Sequence, residues 1–405
     1  MAVYIPGSRW SLRRGARSPQ AVSVSAQAIF LANVGGDRAA AIDAAVRVLR
    51  GEEGPLNFDS LWQATLALIY SGQATVATDL YLDVVRNAEW VRCEPRANTL
   101  DMLLARLRSL VGRYEEASQL LRSMLTGTLS NSMRPMAVAW LTEALVKNGN
   151  LAEADELLRQ NGFDEAIDDI PDRALVLAAR GDLRFAQHRY RAALDDYLTS
   201  GRCLDVLHVT NPAVVPWRSR AAFAAARLGH TRVAGRLAVR NLELARRWGS
   251  PSTVGQALGL QGHLAEGADG DRLYEEAISL IEIAQDNGEL ARMLIDFADL
   301  LQERGRTSES QARLTHARRI AGRLNNTVLI DEIDQAEQRL AAGATPKLTR
   351  QEAKIARLAA AGYSNKQIAE QLFVTIRTVE FHLTATYRKF DVVGRKQLAA
   401  LAHRL

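Results

Sequence analysis

Residues 347–405 read KLTRQEAKIARLAAAGYSNKQIAEQLFVTIRTVEFHLTATYRKFDVVGRKQLAALAHRL, and the rest of the 405-residue chain is organised around this stretch. Ser364 is followed three residues later by Gln367, a capping box that predicts the start of a helix. Thr375 predicts the next helix start after a short connection, and that helix is expected to run to about Phe390. Two short helices joined by one small turn form the perpendicular pair that places its second helix in the major groove of DNA.

Two further helices are expected to flank this pair. Thr349 and Glu352 form another capping box, and the helix that they begin ends at Gly362. A last helix is expected over Arg395–Arg404. The apolar spacing of the third helix predicts that one side faces the core, namely Val379, His382, Thr386 and Phe390, and that the other faces outward, namely Ile376, Arg377, Glu380, Phe381 and Thr384.

Several short motifs in this stretch carry a family resemblance. They are Leu348-Thr349-x-x-Glu352, Gly362-x-Ser364-Asn365-Lys366-x-Ile368-Ala369, Thr378-Val379-x-x-His382 and Arg388-Lys389-Phe390-x-Val392-x-x-Arg395. Over Leu348–Leu398, without a gap, the sequence resembles the LuxR-type (GerE-like) DNA-binding domain. The sequences of Glu380–Thr384 and Tyr387–Phe390 are similar to those of the large regulators of that group, which also carry helical repeats upstream.

The resemblance implies a role for each helix: the second lies along the DNA backbone, the third reads the bases and the fourth pairs two copies. Cations and helix-start hydroxyls position a duplex, so phosphate contacts are expected from Lys366, Thr375, Arg377, Thr378, Arg388, Lys389 and Arg395. Base edges are expected to meet Glu380, Phe381 and Thr384, since a carboxylate accepts from cytosine N4 and a ring contacts the thymine methyl. The self-complementary face of a homodimer is expected from Leu398, Leu401 and Leu405.

The sequence also departs from this family. Arg350 stands where proline is common, Asp391 where glycine usually closes the third helix, and Thr386 in place of a bulkier aliphatic residue. The large regulators carry a nucleotide-binding ATPase module, whereas this sequence has no Gly-Lys dipeptide and hence no phosphate-binding loop of that kind. The helical pattern also excludes a receiver domain. We therefore expect neither ATP control nor phosphotransfer control, and no cofactor.

The region upstream is repetitive. A short turn recurs at intervals of 37 to 41 residues, at Gly72, Gly112, Gly149, His188, Gly229, Gly267 and Gly305. An alanine stands five residues after each of the first five turns, at Ala77, Ala117, Ala154, Ala193 and Ala234. A turn followed by a small residue lets two antiparallel helices approach closely. The form Gly112-Arg-Tyr-Glu-Glu-Ala117 resembles a tetratricopeptide repeat, and such hairpins stack into a solenoid because none covers its own apolar face.

The role of this solenoid is open at the level of sequence. Its concave surface suits a peptide, a partner protein or a small-molecule effector, and the alternative is a passive spacer and dimer scaffold. Trp217 follows two prolines at a helix start, where its ring either lines the groove or packs in the core.

Composition limits the remaining possibilities. The last 59 residues hold eleven Lys or Arg and four Asp or Glu, so their net charge of +7 exceeds the +5 of the whole chain and indicates a local polyanionic partner. Two cysteines, Cys93 and Cys203, make no disulfide framework, and seven scattered histidines show no metal-ligand spacing. No catalytic motif is present, which indicates that the protein is not an enzyme. No apolar stretch is long enough for a membrane span, so a cytoplasmic protein is expected.

Together these patterns predict an all-α protein. A basic, poorly ordered segment is expected over 1–18, a tetratricopeptide-like helix-hairpin solenoid over 19–340, a linker over 341–347 and a four-helix LuxR-type domain over 348–405. The predicted function is that of a dimeric, sequence-specific transcription regulator, an activator, with double-stranded DNA and RNA polymerase as partners. The alternative is a protein-interaction scaffold in which the C-terminal domain serves as a tether or dimer clamp.

Overall fold

The computed structural model of the protein describes residues 23–93, 97–127, 129–167, 170–265, 267–324, 326–343, 350–372, 374–390, 392 and 394–400. Within these ranges all regular secondary structure is helical, which confirms the all-α prediction. Among the described helices, none combines the length and the hydrophobicity of a membrane-spanning segment.

The repeat region consists of helices joined by short turns. Before residue 344 the described residues form α1 (Val24–Val34), α2 (Arg38–Leu49), α3 (Phe58–Tyr70), α4 (Ala74–Asn87), α5 (Glu89–Cys93), α6 (Ala97–Leu110), α7 (Tyr114–Thr126), α8 (Arg134–Lys147), α9 (Leu151–Gln160), α10 (Arg173–Ala186), α11 (Tyr190–Val206), α12 (Trp217–Arg227), α13 (Thr231–Trp248), α14 (Pro251–Leu264), α15 (Gly267–Ile283), α16 (Asn287–Glu303), α17 (Thr307–Leu324) and α18 (Thr327–Gly343).

Successive helices pair into hairpins, and the hairpins stack side by side. A first row is formed by α1, α3, α6, α8, α10, α12, α14, α16 and α18, in which each helix contacts the next member of the row. The second helix of each hairpin packs against its own partner and against the following first-row helix. A single apolar core runs between the rows from the first hairpin to α14, and a second core continues it from α13 to α18. This is the stacked arrangement that the repeat pattern predicts.

The predicted turns lie at the junctions between the two helices of a hairpin. Positive φ angles occur at Gly72, Gly112, Gly149, His188, Gly229, Gly267 and Gly305. That left-handed conformation lets a helix end and the chain reverse, and glycine adopts it without steric cost. The alanines that follow five of these turns, Ala77, Ala117, Ala154, Ala193 and Ala234, are all 0% exposed. Their small side chains therefore lie where the two helices of a hairpin meet.

The last two of these hairpins lack the alanine and use other small residues. Ser310 is fully buried on α17, and its hydroxyl donates to the carbonyl oxygen of Ala298 on α16 at 2.8 Å. In the α14–α15 hairpin, Gly255 supplies the close approach, since a Cβ added there would lie 2.6 Å from Cγ1 of Ile281. The same close packing is thus reached with different residues.

The stack of hairpins coils into a superhelix, so that residues far apart in the sequence come into contact. Nδ2 of Asn211 donates to the carbonyl oxygen of Ala32 at 2.7 Å, across 179 residues of sequence. Nε1 of Trp248 donates to the carbonyl oxygen of Tyr70 at 2.8 Å, across 178 residues. Both acceptors lie at the ends of helices in the first two hairpins, α1 and α3. Successive turns of the coil are therefore hydrogen-bonded to each other, which fixes its pitch.

A chain of charged side chains links the first-row helices. Glu143 on α8 lies 2.8 Å from Arg106 of α6, 3.2 Å from Lys147 and 3.5 Å from Arg220 of α12. Arg220 also lies 2.8 Å from Asp182 of α10. Burial disfavours the charged form of Glu143, but the three surrounding cations outweigh it and hold the pKa of this carboxyl well below its usual range. Four helices are thus connected through one ionised carboxylate and its partners.

The structure adds to the sequence analysis at both ends of the repeat region. Helix α18 ends at Gly343, so residues 341–343, assigned to the linker, are helical. The hairpin α1–α2, whose turn contains Gly35 with φ of 60°, was not recognised from the sequence. The segment 1–18 and the linker residues 344–347 lie outside the described residues.

Trp217 belongs to the core rather than to an open groove. It is the first residue of α12 and is 8% exposed. Its ring packs where a Cβ on Gly201 would come within 2.6 Å of it, and the guanidinium of Arg218 lies 4.2 Å from the ring centre. Of the two interpretations that the sequence leaves open for this residue, core packing is the one observed.

Candidate nucleic-acid interface

Four helices surround a small apolar core at the C-terminal end of the described chain. They are α19 (Arg350–Ala360), α20 (Asn365–Leu372), α21 (Ile376–Phe390) and α22 (Arg395–Ala400). Ile355, Ile368, Val379 and Leu398, one from each helix, are all 0% exposed and pack in one cluster. Helix α19 contacts the other three, so it is the support on which α20 and α21 are held.

The helix starts are capped as the sequence predicts. The hydroxyl of Ser364 accepts from the backbone N–H of Gln367 at 3.3 Å, and Oε1 of Gln367 accepts from the backbone N–H of Ser364 at 2.9 Å. The hydroxyl of Thr375 accepts from the backbone N–H of Thr378 at 3.2 Å. These bonds satisfy donors that would be unpaired at the starts of α20 and α21. The cap predicted at Thr349 lies outside the described residues.

The buried side of α21 is rotated slightly from the predicted one. Val379 and Thr386 are 0% exposed as expected, but Leu383 is buried at 3% and His382 only partly buried. The side chain of Tyr387 is partly buried and packs against the same core. The side chain of Phe390, predicted to face the core, lies outside the described residues.

The three residues predicted to read bases lie on the exposed side of α21. Glu380 and Thr384 are exposed, and Phe381 is 72% exposed. The hydroxyl of Thr384 donates to the carbonyl oxygen of Glu380 at 2.8 Å. The hydroxyl oxygen of Thr384 therefore remains available as a hydrogen-bond acceptor, and the methyl group of Thr384 is available for an apolar contact. The ring of Phe381 meets the ring of His382 edge to face with centroids 5.6 Å apart, which supports an otherwise exposed aromatic side chain.

The residues predicted to contact phosphates are placed on several helix starts. Lys366 is exposed on the first turn of α20, and Arg377 is exposed on the first turn of α21. Thr375 is exposed and Thr378 is half-buried, with their hydroxyl oxygens 2.8 Å apart. One of these hydroxyls donates to the other, so one O–H group stays free to donate to a phosphate oxygen. A helix N-terminus adds a favourable partial charge for such an anion.

Arg395 has a structural role that sequence reasoning missed. Its Nη2 donates to Oδ1 of Asn365 at 2.5 Å, and its Nη1 donates to the carbonyl oxygen of Tyr363. The guanidinium is thus bound within the domain and holds the turn before α20. Its predicted phosphate contact stays a prediction. Tyr363, 42% exposed in that turn, is a further polar and aromatic group on this surface that the sequence interpretation did not include.

Parts of the predicted site lie beyond the described side chains. Arg388 and Lys389 occupy the last turn of α21, but their side chains are outside the described residues, as are Leu401 and Leu405. Leu398 was predicted to form a dimer face; it is 0% exposed and packs in the core of its own domain. A side chain enclosed in this way contributes no surface to a second copy, so a dimer face on α22 has to come from other residues.

Comparison with known proteins identifies this arrangement. Residues 346–402 match the family of bacterial regulatory proteins of the luxR family, named GerE. The C-terminal region is a LuxR-family helix-turn-helix domain. This confirms the family resemblance of the sequence. Within the LuxR-family domain, α20 and α21 are the helix-turn-helix pair, and the exposed side of α21 carries the predicted base-reading residues.

The similarity to named regulators is confined to the LuxR-family domain. The transcriptional regulatory protein LiaR of Bacillus subtilis is 49% identical over 57 residues, which is 14% of this chain and 27% of LiaR. The oxygen regulatory protein NreC of Staphylococcus haemolyticus is 44% identical over 55 residues, 14% of this chain and 25% of NreC. The HTH-type transcriptional regulator Rv0890c of Mycobacterium tuberculosis is 47% identical over 57 residues, 6% of its length. The chain thus spans about a quarter or less of these relatives.

The repeat region has a weaker structural likeness. The crystal structure of BtubC (BKLC) from P. vanneervenii covers 54% of this chain and 92% of its own, with 15% sequence identity and a TM-score of 0.36. A similarity at this level does not establish a common fold. Among the residues that the structure describes, no group of three or more His, Cys, Asp or Glu side chains is arranged to hold a metal ion.

Proposed function

We propose that the protein is a sequence-specific DNA-binding regulator of transcription. One observation carries the proposal: the LuxR-family match at 346–402 coincides with a capped helix, α21, that buries one side and exposes Glu380, Phe381 and Thr384 on the other. Carboxylate, aromatic and methyl groups in that position suit the base edges of the major groove. LiaR, which shares this domain, is itself named a transcriptional regulatory protein.

The surrounding groups support a docking surface for duplex DNA. Lys366 and Arg377 lie exposed at the starts of α20 and α21, where cations and backbone N–H groups together favour phosphate oxygens. The net charge of +7 over residues 347–405 adds a sequence-independent attraction. In this proposal two copies bind one operator, the complex activates transcription through RNA polymerase, and the protein acts in the cytoplasm.

The repeat region is proposed to receive the signal. Its helices form a continuous coil whose turns are hydrogen-bonded to each other, so a ligand or partner that binds between first-row helices changes the energy of the whole coil. Helix α18 ends at Gly343 and α19 begins at Arg350. A change in α18 therefore lies only six residues of chain from the DNA-binding domain.

Selection of DNA by the full-length chain tests the proposal. Sheared genomic DNA is incubated with the protein, and the bound fragments are sequenced and then titrated individually at several salt concentrations. We expect a small set of enriched sites, and an affinity that falls with a log–log slope of about −0.9 for each phosphate neutralised. Retention of fragments without sequence enrichment, or an affinity independent of salt, would contradict the proposal and favour the scaffold alternative.

A further inference from the structure

Helix α13 carries a concentration of positive charge on one side. Its 18 residues include five arginines and one glutamate, a net charge of +4. At about 100° per residue, all six charged residues fall within a sector of about 120° around the helix axis. They are Arg232, Arg236, Arg240, Glu243, Arg246 and Arg247, and each is exposed. The buried residues of the helix, among them Ala238, Ala245 and Trp248, lie on the opposite side.

The charged side of α13 faces away from the coil. The helix packs between α12 and α14 of the first row, and Val239, which lies in the charged sector, is 53% exposed. At a rise of about 1.5 Å per residue, Arg232 and Arg246 lie about 21 Å apart along the helix axis. Together, four residues form the arginine stripe: Arg232, Arg236, Arg240 and Arg246.

Most of the stripe has no carboxylate partner. Nη1 of Arg240 lies 2.9 Å from Oε2 of Glu243, and Nε of the neighbouring Arg247 donates to the carbonyl oxygen of Gly35 at 3.1 Å. The other three arginines form no ion pair with any residue that the structure describes; they are Arg232, Arg236 and Arg246. The stripe therefore presents three uncompensated positive charges to solvent.

The carboxylates of α11, the second helix of the preceding hairpin, are mostly committed to other cations. Asp196 contacts two arginines of α10, and Asp205 lies 3.3 Å from Arg218 of α12. The third carboxylate, Asp195, is exposed. Helix α11 also carries two exposed arginines, so its uncommitted charge is not negative.

Helix α15, the second helix of the following hairpin, is acidic, with five carboxylates and one arginine. Three of the carboxylates are paired: Asp271 with Arg304 at 2.5 Å, Glu275 with Arg313, and Glu276 with Arg272 at 4.0 Å. The other two, Asp269 and Glu282, stand near its two ends. Little negative charge is therefore left free beside the stripe, and a polyanion can approach α13.

Duplex DNA has the chemistry that such a stripe recognises. Arginine forms paired hydrogen bonds with phosphate oxygens through its planar guanidinium. A duplex carries one negative charge per about 1.7 Å of its axis, so a stripe about 21 Å long spans about 12 phosphates. The LuxR-family domain matched at 346–402 lies in the same chain. DNA held by one module of a chain meets a second module at a high effective concentration.

We propose that the arginine stripe binds the phosphate backbone of duplex DNA outside the base pairs that α21 contacts. This proposal rests on the function proposed above and adds a second DNA-binding surface, in the repeat region. Phosphate contacts carry no base information, so the stripe strengthens binding to every sequence alike and extends the length of DNA that the protein covers. A signal received by the repeat region would then act on DNA binding through α13.

Fluorescence-anisotropy titration of the full-length chain with a long duplex of random sequence tests the stripe. Lys366→Glu and Arg377→Glu are first introduced together, so that the exposed helix starts of the LuxR-family domain repel phosphates. We expect this parent variant to keep a salt-dependent affinity for the duplex. Adding Arg232→Gln, Arg236→Gln and Arg246→Gln should weaken binding at least tenfold and make the log–log salt slope shallower by about 2.7, since each phosphate contributes about 0.9.

The matched control removes three other exposed arginine charges from the second helices of other hairpins, namely Arg86 on α4 and Arg319 and Arg323 on α17. Their replacement by glutamine should change the affinity by less than about twofold, because charges more than about 10 Å from the bound DNA are screened. Circular dichroism checks the folding of every variant.

Three results would overturn the proposal. The first is an equal loss of affinity in the two triple variants, and the second is the absence of any binding by the parent variant. The third is displacement of the duplex from the parent variant by poly-L-glutamate at equal charge concentration, which would assign the stripe to an acidic protein. None of these results involves an operator, so the genomic selection experiment with the unaltered chain still judges the regulator itself.

Discussion

Arg395 and Asn365 are joined by a hydrogen bond of 2.5 Å between Nη2 of the guanidinium and Oδ1 of the side-chain amide. Arg395 is the first residue of α22 and Asn365 the first residue of α20. The same guanidinium also donates to the carbonyl oxygen of Tyr363, in the turn that precedes α20. One side chain therefore connects the last helix of the domain to the start of the helix-turn-helix pair.

This relationship predicts that Arg395→Gln weakens binding to every DNA sequence by at least tenfold. Charge-assisted hydrogen bonds contribute about 1.5–3 kcal/mol each, and their loss frees the turn that sets the position of α20. Gel-shift titration measures the affinity, and hydrogen exchange of the backbone amides of residues 363–365 measures the loosening. Lys396→Gln removes the same charge from the exposed neighbour and serves as the control. Equal effects of the two substitutions would show that only charge on α22 matters.

Arg377→Gln is expected to weaken all DNA sites alike. Arg377 is exposed on the first turn of α21, where a cation contacts phosphates and carries no base information. Removing one such contact should make the salt slope shallower by about 0.9. Titration of two different operators at four salt concentrations measures this. A changed ranking of the operators would assign Arg377 to base reading instead.

Glu380→Gln is expected to change preference at one base pair. Its exposed carboxylate only accepts hydrogen bonds, whereas the amide of glutamine both donates and accepts. The loss of a specific base contact corresponds to about 1–3 kcal/mol of discrimination. Selection from randomised duplexes, compared with the unaltered chain, measures the preference at each position. An identical preference in both selections would show that Glu380 does not read a base.

The sequence predicts the hairpins well where the determinants are local. A left-handed residue at the turn and a small residue just inside the next helix are both visible in the sequence, and every predicted turn has positive φ. The hairpin α1–α2 was missed because its left-handed residue, Gly35, is the first of the three residues between the helices, whereas in a recognised turn such as that at Gly72 it is the second. The small buried residue, Ala41, therefore comes six positions after Gly35 instead of five.

Features that depend on distant residues were not predictable. The bond between Trp248 and Tyr70 joins residues 178 positions apart, and no local pattern encodes it. In α21 the sequence interpretation chose His382 for the core and the structure buries Leu383. Neighbouring side chains on a helix point in directions about 100° apart. Because few side chains define the core of this domain, the sequence pattern determines the rotation of α21 about its axis only loosely.

Glu143→Gln is expected to destabilise the repeat region by about 3–5 kcal/mol. The substitution leaves Arg106, Lys147 and Arg220 in partly buried positions without their shared anion, and an uncompensated buried charge carries a penalty of that size. Urea unfolding followed by circular dichroism measures the change. Glu116→Gln is the control because this carboxylate is largely exposed, and it should alter stability by less than about 0.5 kcal/mol.

The same substitution predicts a pH dependence. Because the folded-state pKa of Glu143 is depressed, its stabilising contribution is complete above the unfolded pKa of about 4.3 and is lost as the pH falls below that value. The stability difference between the unaltered chain and Glu143→Gln should therefore stay constant from pH 7 to 5.5 and shrink below pH 4. A difference that is insensitive to acid would mean that the pKa of Glu143 is the same in the folded and the unfolded chain, so that its ionised form is not stabilised by folding.

Ala154→Leu and Ala152→Leu test whether the small residue after each turn sets the hairpin. Both lie on α9, but Ala154 is 0% exposed and Ala152 is exposed. Leucine at 154 has no room between α8 and α9, so we expect a loss of about 1–3 kcal/mol from overpacking. Leucine at 152 is expected to change stability by less than about 0.5 kcal/mol. Urea unfolding of both variants measures this. Equal effects would mean that helix propensity, rather than close approach of the helices, governs this position, and the alanine spacing would then carry no structural information.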